Sequence, residues 1–177
     1  MSEARIPPHD EATESAVIAS VLLFGNKFES VTFLTPEHFF VRQNRTFFEV
    51  FWTLHDEGTP IDLSTVANRL RSDGRFYDNG GFDAVQLKLA ASAQAGNVVP
   101  YAIRVLELHV RRALIEAVQR AEARAHLGHA VDDILAELDE RVWSLQKLRE
   151  RIPLTRDVQH HPRFSNRKRR LRRDVLQ

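Results

Sequence analysis

The hydrophobic pattern of the chain is helical almost throughout. Asp10 stands where a helix N-cap should, and Val17, Ile18, Val21 and Leu22 follow on one face, so a helix is expected from Asp10 to about Phe24. Gly25-Asn26 ends it. A short helix is expected over 28–34, and Thr35-Pro36 opens a further turn with proline at its first position. Phe39, Phe40, Phe47, Phe48, Phe51 and Trp52 then crowd into one segment. Phe47, Phe51 and Leu54 form one stripe, with Phe48 and Trp52 beside it. A helix apolar over so wide an arc is central in a core or partly an interface.

From Gly58 to Leu89 the chain reads as turn, helix, tight loop and second helix. Pro60 sets the turn, Asp62 caps, and Leu63, Val66, Ala67 and Leu70 recur at helical spacing. Gly74 stops this helix and Asn79-Gly80-Gly81 turns the chain. A helix is expected over 82–93, after which Asn97 is the expected cap of the longest helix, about 98–127. Ile103, Leu106, Val110, Leu114, Ala117 and Ala121 lie along one side of that helix. Gly128-His129 interrupts it, and a helix from about 131 to 151 places Leu135, Leu138, Val142, Leu145 and Leu148 inward. So short a connection makes the two long helices an antiparallel hairpin. Their narrow seam leaves a second side free for another chain. No strand pattern or internal repeat interrupts the series. The expectation is an all-α fold, residues 1–153, with a compact helical bundle over 7–95 and a long antiparallel helical hairpin over 97–152.

Several of these stretches resemble one family. GTPIDLSTVANRLRSDGRFYDNGG follows the PIDLxTL–xxxL–xxxG–x–GG pattern of the N-terminal domain of bacterial replicative DNA helicases of the DnaB type. IPPHDEATESAVIASVLL is similar to the opening PP-H-x-x-EAE-x-x-VLG of that domain, departing at Thr13 and at Ile18-Ala19. GNVVPYAIRVLELHVRRALI resembles its N-I-x-x-Y-A-x-I-V-x-x-x-x-x-x-R segment, and Asn44 stands where the family usually has His. The resemblance covers roughly residues 5–158. It implies a domain that forms the collar of a helicase ring as dimers assembled into a trimer. It also implies hairpin helices packed between subunits and a collar surface that docks the helicase-binding domain of primase. Carried onto this chain, Leu106, Val110, Leu114, Leu138, Val142 and Leu145 become packing or assembly positions.

Charge adds a second feature. Residues 1–153 carry 17 Lys and Arg against 22 Asp and Glu, net −5, whereas residues 154–177 carry 8 against 2, net +6. Arg163, Arg167, Lys168, Arg169, Arg170, Arg172 and Arg173 concentrate in a segment without apolar periodicity, expected to be a disordered tail or linker. Such a run attracts phosphate without reading sequence, and only Phe164 is placed to stack on a base.

Other chemistry is excluded or weak. There is no cysteine, hence no disulfide or thiolate metal site. His126-x-x-His129 and His160-His161 lack a carboxylate pair at ligand spacing, and caps and turns account for Asp62, Asp73, Asp78 and Asp83. No metal or cofactor is expected. A phosphate loop needs GxxxxGK[ST], and none of the seven glycines precedes a lysine. The ATPase motor that the family places in a separate C-terminal domain is therefore absent, and no enzyme activity is expected. With no membrane-length apolar run and no signal peptide, the chain reads as soluble and cytoplasmic. The leading expectation is a non-catalytic replication module that self-associates and docks primase. The rivals are a small nucleic-acid-binding accessory protein acting through the tail, and a regulator that co-assembles with intact helicase.

Overall fold

The computed structural model describes residues 6–81, 83 and 97–152. The helix expected over 82–93 falls, apart from Asp83, outside the described residues, as does the whole basic segment 154–177.

Helix α1 spans Glu11–Leu23. Asp10 caps it from an extended backbone, its Oδ1 accepting the Thr13 amide at 3.0 Å. That backbone hydrogen bond, its largest influence, holds the Asp10 carboxyl below the ordinary range. The sequence suggests a one-sided amphipathic helix, but Glu14 through Leu22 are all buried. The reason is position: α1 is the central helix, covered on several sides by α2 (Arg42–Asp56), a 3₁₀ segment (Gly25–Val31) and the long helix α4 (Val99–His126). The expected helix over 28–34 is this 3₁₀ segment, shifted three residues earlier. Gly25 sits so close to the 58–61 loop that a Cβ there would collide with the Ile61 carbonyl oxygen.

The Phe-rich helix α2 belongs to the core. Phe47, Phe48 and Phe51 are buried, and Phe48 lies 5.6 Å from Phe28 and 4.7 Å from Phe39 between ring centroids. Helix α3 (Leu63–Ser72) is capped as its sequence suggests. Asp62 Oδ1 accepts the Ser64 and Thr65 amides at 2.8 and 2.9 Å, and Thr65 Oγ1 accepts the Asp62 amide at 3.0 Å. Val66, Ala67 and Leu70 are buried, and Gly74 leaves the helix with φ +70°. Leu63, at the helix start, is exposed.

Helix α2 has no side-chain cap of its own; its N-cap residue is Val41. The cap comes from α1. The buried carboxylate of Glu14 accepts the Phe40 amide at 2.7 Å through Oε1, and the Val41 amide at 3.1 Å through Oε2. Oε2 also accepts from the Asn44 side-chain amide at 3.1 Å. A negative group at the positive end of α2 thereby satisfies backbone donors that would otherwise be orphaned. Removing it strands those amides and the Asn44 donor together. We therefore expect Glu14→Ala to cost about 3–5 kcal/mol of unfolding free energy. Glu14→Gln, which keeps one acceptor oxygen, should cost clearly less. Urea titration of both variants checks this ordering, and equal losses would mean that the carboxylate does not act as the cap.

Candidate assembly surface

The hairpin begins inside the bundle. Helix α4 carries Pro100 in its first turn and has no side-chain cap; its N-cap is Val98, so Asn97 precedes the cap position instead of filling it. Ala102, Val105 and Leu106 are part of the bundle core, Leu108 is also buried, and Ala113 is the last buried residue of α4. Beyond it no residue of the helix is buried, and the helix pairs with α5 (Val131–Glu150). The chain reverses through Gly128, φ +75°, a backbone that suits glycine. Asp132 and Asp133 in the first turn of α5, and Lys147 and Arg149 in the last, complement its dipole.

The two helices meet through charge as well as contact. Glu137 of α5 pairs with Arg124, and with Arg120 at 3.6 Å. Small residues on α4, Ala117 and Ala121, leave an open groove of about 430 Å³ against Ile134 and Leu138. The line along which the helices face each other thus runs through Arg120 and Arg124 on one and Glu137 and Arg141 on the other. At roughly 100° per residue, Leu114 and Val118 lie about 120° around α4 from that line, and Val131, Leu135 and Val142 lie about 120° around α5 in the same rotational sense. Because the helices are antiparallel, equal displacements bring both stripes to one side of the hairpin. That side is wet: Leu114 is 45% exposed, Val118 53% and Leu135 52%.

The residues singled out from sequence separate accordingly. Leu106 is fully buried in the bundle and Leu145 is buried in the hairpin, so both are packing residues. Val110 and Leu138 are half-buried, Val142 is half-buried on the same side of α5 as Leu135, and Leu114 is exposed. Leu135, expected inward, points outward. Val118 was not foreseen, although it falls four residues after Leu114 on the same face. Arg163, Arg167, Lys168, Arg169, Arg170, Arg172 and Arg173 lie outside the described residues.

A polar junction sets the hairpin against the bundle. The Arg112 guanidinium donates to the Pro8 carbonyl at 2.9 Å and the His38 carbonyl at 2.6 Å, and its carbon lies 5.5 Å from the Phe40 ring centre. His9 stacks on that same ring at 4.4 Å. Beside Arg112, the His38 and His109 rings lie 4.6 Å apart. His38 Nδ1 accepts the Thr35 amide at 3.0 Å, closing the second 3₁₀ segment (Pro36–His38). Burial, then the His109 ring, push the His38 imidazole down to about 4. Burial, then Arg112, push His109 down as well. Sequence reasoning missed this junction; the one available signal was the arginine that closes the N-I-x-x-Y-A motif, which is Arg112.

Among the described residues no group of three His, Cys, Asp or Glu side chains is placed to hold a metal, and no helix is long and apolar enough to cross a membrane.

With this geometry in place, the comparisons with known proteins are direct. The family model described as DnaB-like helicase N terminal domain matches residues 6–107. The replicative DNA helicase DnaB of Pasteurella multocida is 26% identical over 152 residues, 84% of this chain and 32% of that protein. That of Geobacillus stearothermophilus is 29% identical over 145 residues, 81% of this chain and 32% of that protein. The chain therefore spans about a third of the length of these relatives. The crystal structure of the N-terminal domain of DnaB helicase from Mycobacterium tuberculosis superposes with a TM-score of 0.72 at 25% identity, covering 78% of this chain and 99% of that one. A DnaB-like replicative helicase, solved in a study of its interactions with primase, shares the fold at TM-score 0.65 and 23% identity, over 75% of this chain and 31% of that one. The all-α fold is thus that of the helicase N-terminal domain. The match falls on the N-terminal domain of the helicase, and the sequence contains no GxxxxGK[ST] phosphate loop. An all-α bundle with a rooted hairpin, matched by the family model over more than half its length, this chain belongs to the DnaB-like helicase N-terminal domain family.

Proposed function

We propose that this chain is an assembly and docking module of the replication machinery, self-associating through the hairpin and presenting the bundle to primase. The observation that carries this reading is the apolar side of the hairpin. Leu114, Val118, Val131 and Leu135 are exposed on one continuous side, on helices held rigid by a buried root. An isolated two-helix layer with a wet apolar side gains by stacking on another such layer, which yields a four-helix interface between two copies. Leu114, Val118, Leu135 and Val142 are proposed as its contacts, with Leu106 and Leu145 supporting them from beneath. Dimers of this kind are the units from which a ring collar is built.

The fold match to a helicase studied with primase supports primase, through its helicase-binding domain, as the partner of the outer bundle surface. A second reading rests on charge. Net +6 over residues 154–177 against net −5 over 1–153 supports sequence-independent DNA contact by the tail. The same apolar side also suits co-assembly with an intact helicase.

Substitution of exposed positions separates assembly from folding. Leu114→Asp with Leu135→Asp should turn the protein monomeric in sedimentation while changing unfolding free energy by less than about 1 kcal/mol, since neither side chain is buried in the monomer. A wild-type protein that stays monomeric at tens of micromolar, or a double variant that still assembles, would remove the hairpin from this role.

Primase and DNA should then use different parts of the chain. Deleting residues 159–177 should leave binding of the primase helicase-binding domain intact. The same deletion should abolish binding to unrelated oligonucleotides. If about five tail cations contact duplex phosphates, the logarithm of the DNA affinity should fall against that of salt with a slope of roughly −4.5. Fluorescence anisotropy across a salt series measures both; undiminished DNA binding by the shortened chain would place the DNA surface on the globule.

A further inference from the structure

The junction between bundle and hairpin contains two imidazoles in an unfavourable place for a proton. His38 is buried on the second 3₁₀ segment and His109 is half-buried on α4, with ring centres 4.6 Å apart. The charged groups around them come from every neighbouring element. Glu37 comes from the 3₁₀ segment and Arg112 from α4, while Arg141 and Arg151 come from α5 and its end. Arg45 of α2 and Glu14 of α1 act on Arg112. Among the described residues, three guanidinium groups thus oppose one nearby carboxylate. His38 Nδ1 is already an acceptor for the Thr35 amide, so that nitrogen takes a proton only by giving up the hydrogen bond that closes the segment.

The mechanical setting gives this cluster a consequence. The first turns of α4 are rooted in the core by Ala102, Val105 and Leu106. His109 and Arg112, one and two turns further on, are its polar grip on the 3₁₀ segment and the N-terminal strap. Past Ala113 no residue of α4 is buried. We propose that His38 and His109 form a proton-sensitive latch, which holds the hairpin against the bundle while both rings are neutral and lets its outer part pivot on the rooted turns when either is protonated. This inference stands on the junction alone and does not require the assembly reading.

The sign follows from linkage. In the closed junction His38 titrates at about 4, and a released ring returns toward the ordinary value near 6.5. The open form therefore binds more protons between pH 6.5 and 4, and the closed form is fully favoured only above that window. From His38 alone the opening constant should rise about tenfold by pH 5.5 and about 80-fold by pH 4.5, relative to alkaline pH. Protonation of His109 adds to this in the same direction.

The chain has no cysteine, so two labels are easily placed. Asn68 on α3 and Gln119 on the outer part of α4 are both exposed. Spin labels at Asn68→Cys and Gln119→Cys, in full-length protein diluted with unlabelled chain, report the distance between bundle and hairpin. Lowering the pH from 7.5 to 4.5 should broaden or lengthen that distance with a midpoint inside the window. His38→Asn, which offers the Thr35 amide an acceptor that does not titrate there, combined with His109→Gln, should flatten the response. His109→Gln alone should weaken it, and helical content by circular dichroism shows that each variant is folded. A wild-type distance unchanged down to pH 4.5 overturns the latch. So does an undiminished response in the folded variants, which would assign the titration to carboxylates.

Discussion

One buried carboxylate holds the architecture in register. Glu14 lies on the central helix, and its two oxygens gather the amides at the start of α2 and the side chain of Asn44. A bare charge in such a place would cost several kcal/mol, and the site is stable only because its acceptors are occupied. The constraint therefore works in both directions. Helix α2 begins where Glu14 can reach it, and both Glu14 oxygens are occupied because α2 presents its amide donors there. Phe47, Phe48 and Phe51 then fall against α1 and the 3₁₀ segment, and the core is built around that contact. Among the described residues Asn44 Oδ1 has no hydrogen-bond partner, which fits a side chain whose orientation is dictated by the carboxylate on its other side.

The same region governs the hairpin. Arg112 reaches two carbonyls in the bundle and feels the field of Glu14, so the helix that leaves the core departs in a direction set by the core's own polar centre. Rooting and exposure are complementary. The buried turns of α4 supply rigidity, and the outer turns, freed from packing duty, carry apolar side chains into solvent. A hairpin that buried all its leucines internally would be more stable alone and would have nothing to offer another copy.

Helix starts and stops were legible because they are written within a few residues. Asp10 reaches Thr13, Asp62 reaches Ser64 and Thr65, and Gly74 and Gly128 adopt the left-handed backbone that their places in the chain demand. The family resemblance was legible for the same reason, since its motifs are mostly caps, turns and periodic apolar positions. The central place of α1 was not: its pattern looks one-sided, and only its neighbours bury the remaining faces. Leu135 fits an inward heptad position by spacing, yet Glu137 and Arg141 take the facing line and turn Leu135 outward.

The sequence by itself determined an all-α chain, the turn glycines, a hairpin with a short connection, and the lack of any phosphate loop or thiolate site. Each of these depends on residue type and near-neighbour spacing. Tertiary structure decided the roles of Glu14, Arg112, His38 and His109. Glu14 finds its partners 26 to 30 residues away, and Arg112 finds its carbonyls 74 and 104 residues away. Polar side chains carry no periodic signature of burial, so a glutamate on a cap-like first turn and a histidine before a phenylalanine read as surface groups until the fold brings their partners. The wet side of the hairpin was likewise a tertiary outcome, because which leucines face a partner helix depends on a rotation that heptad spacing leaves free.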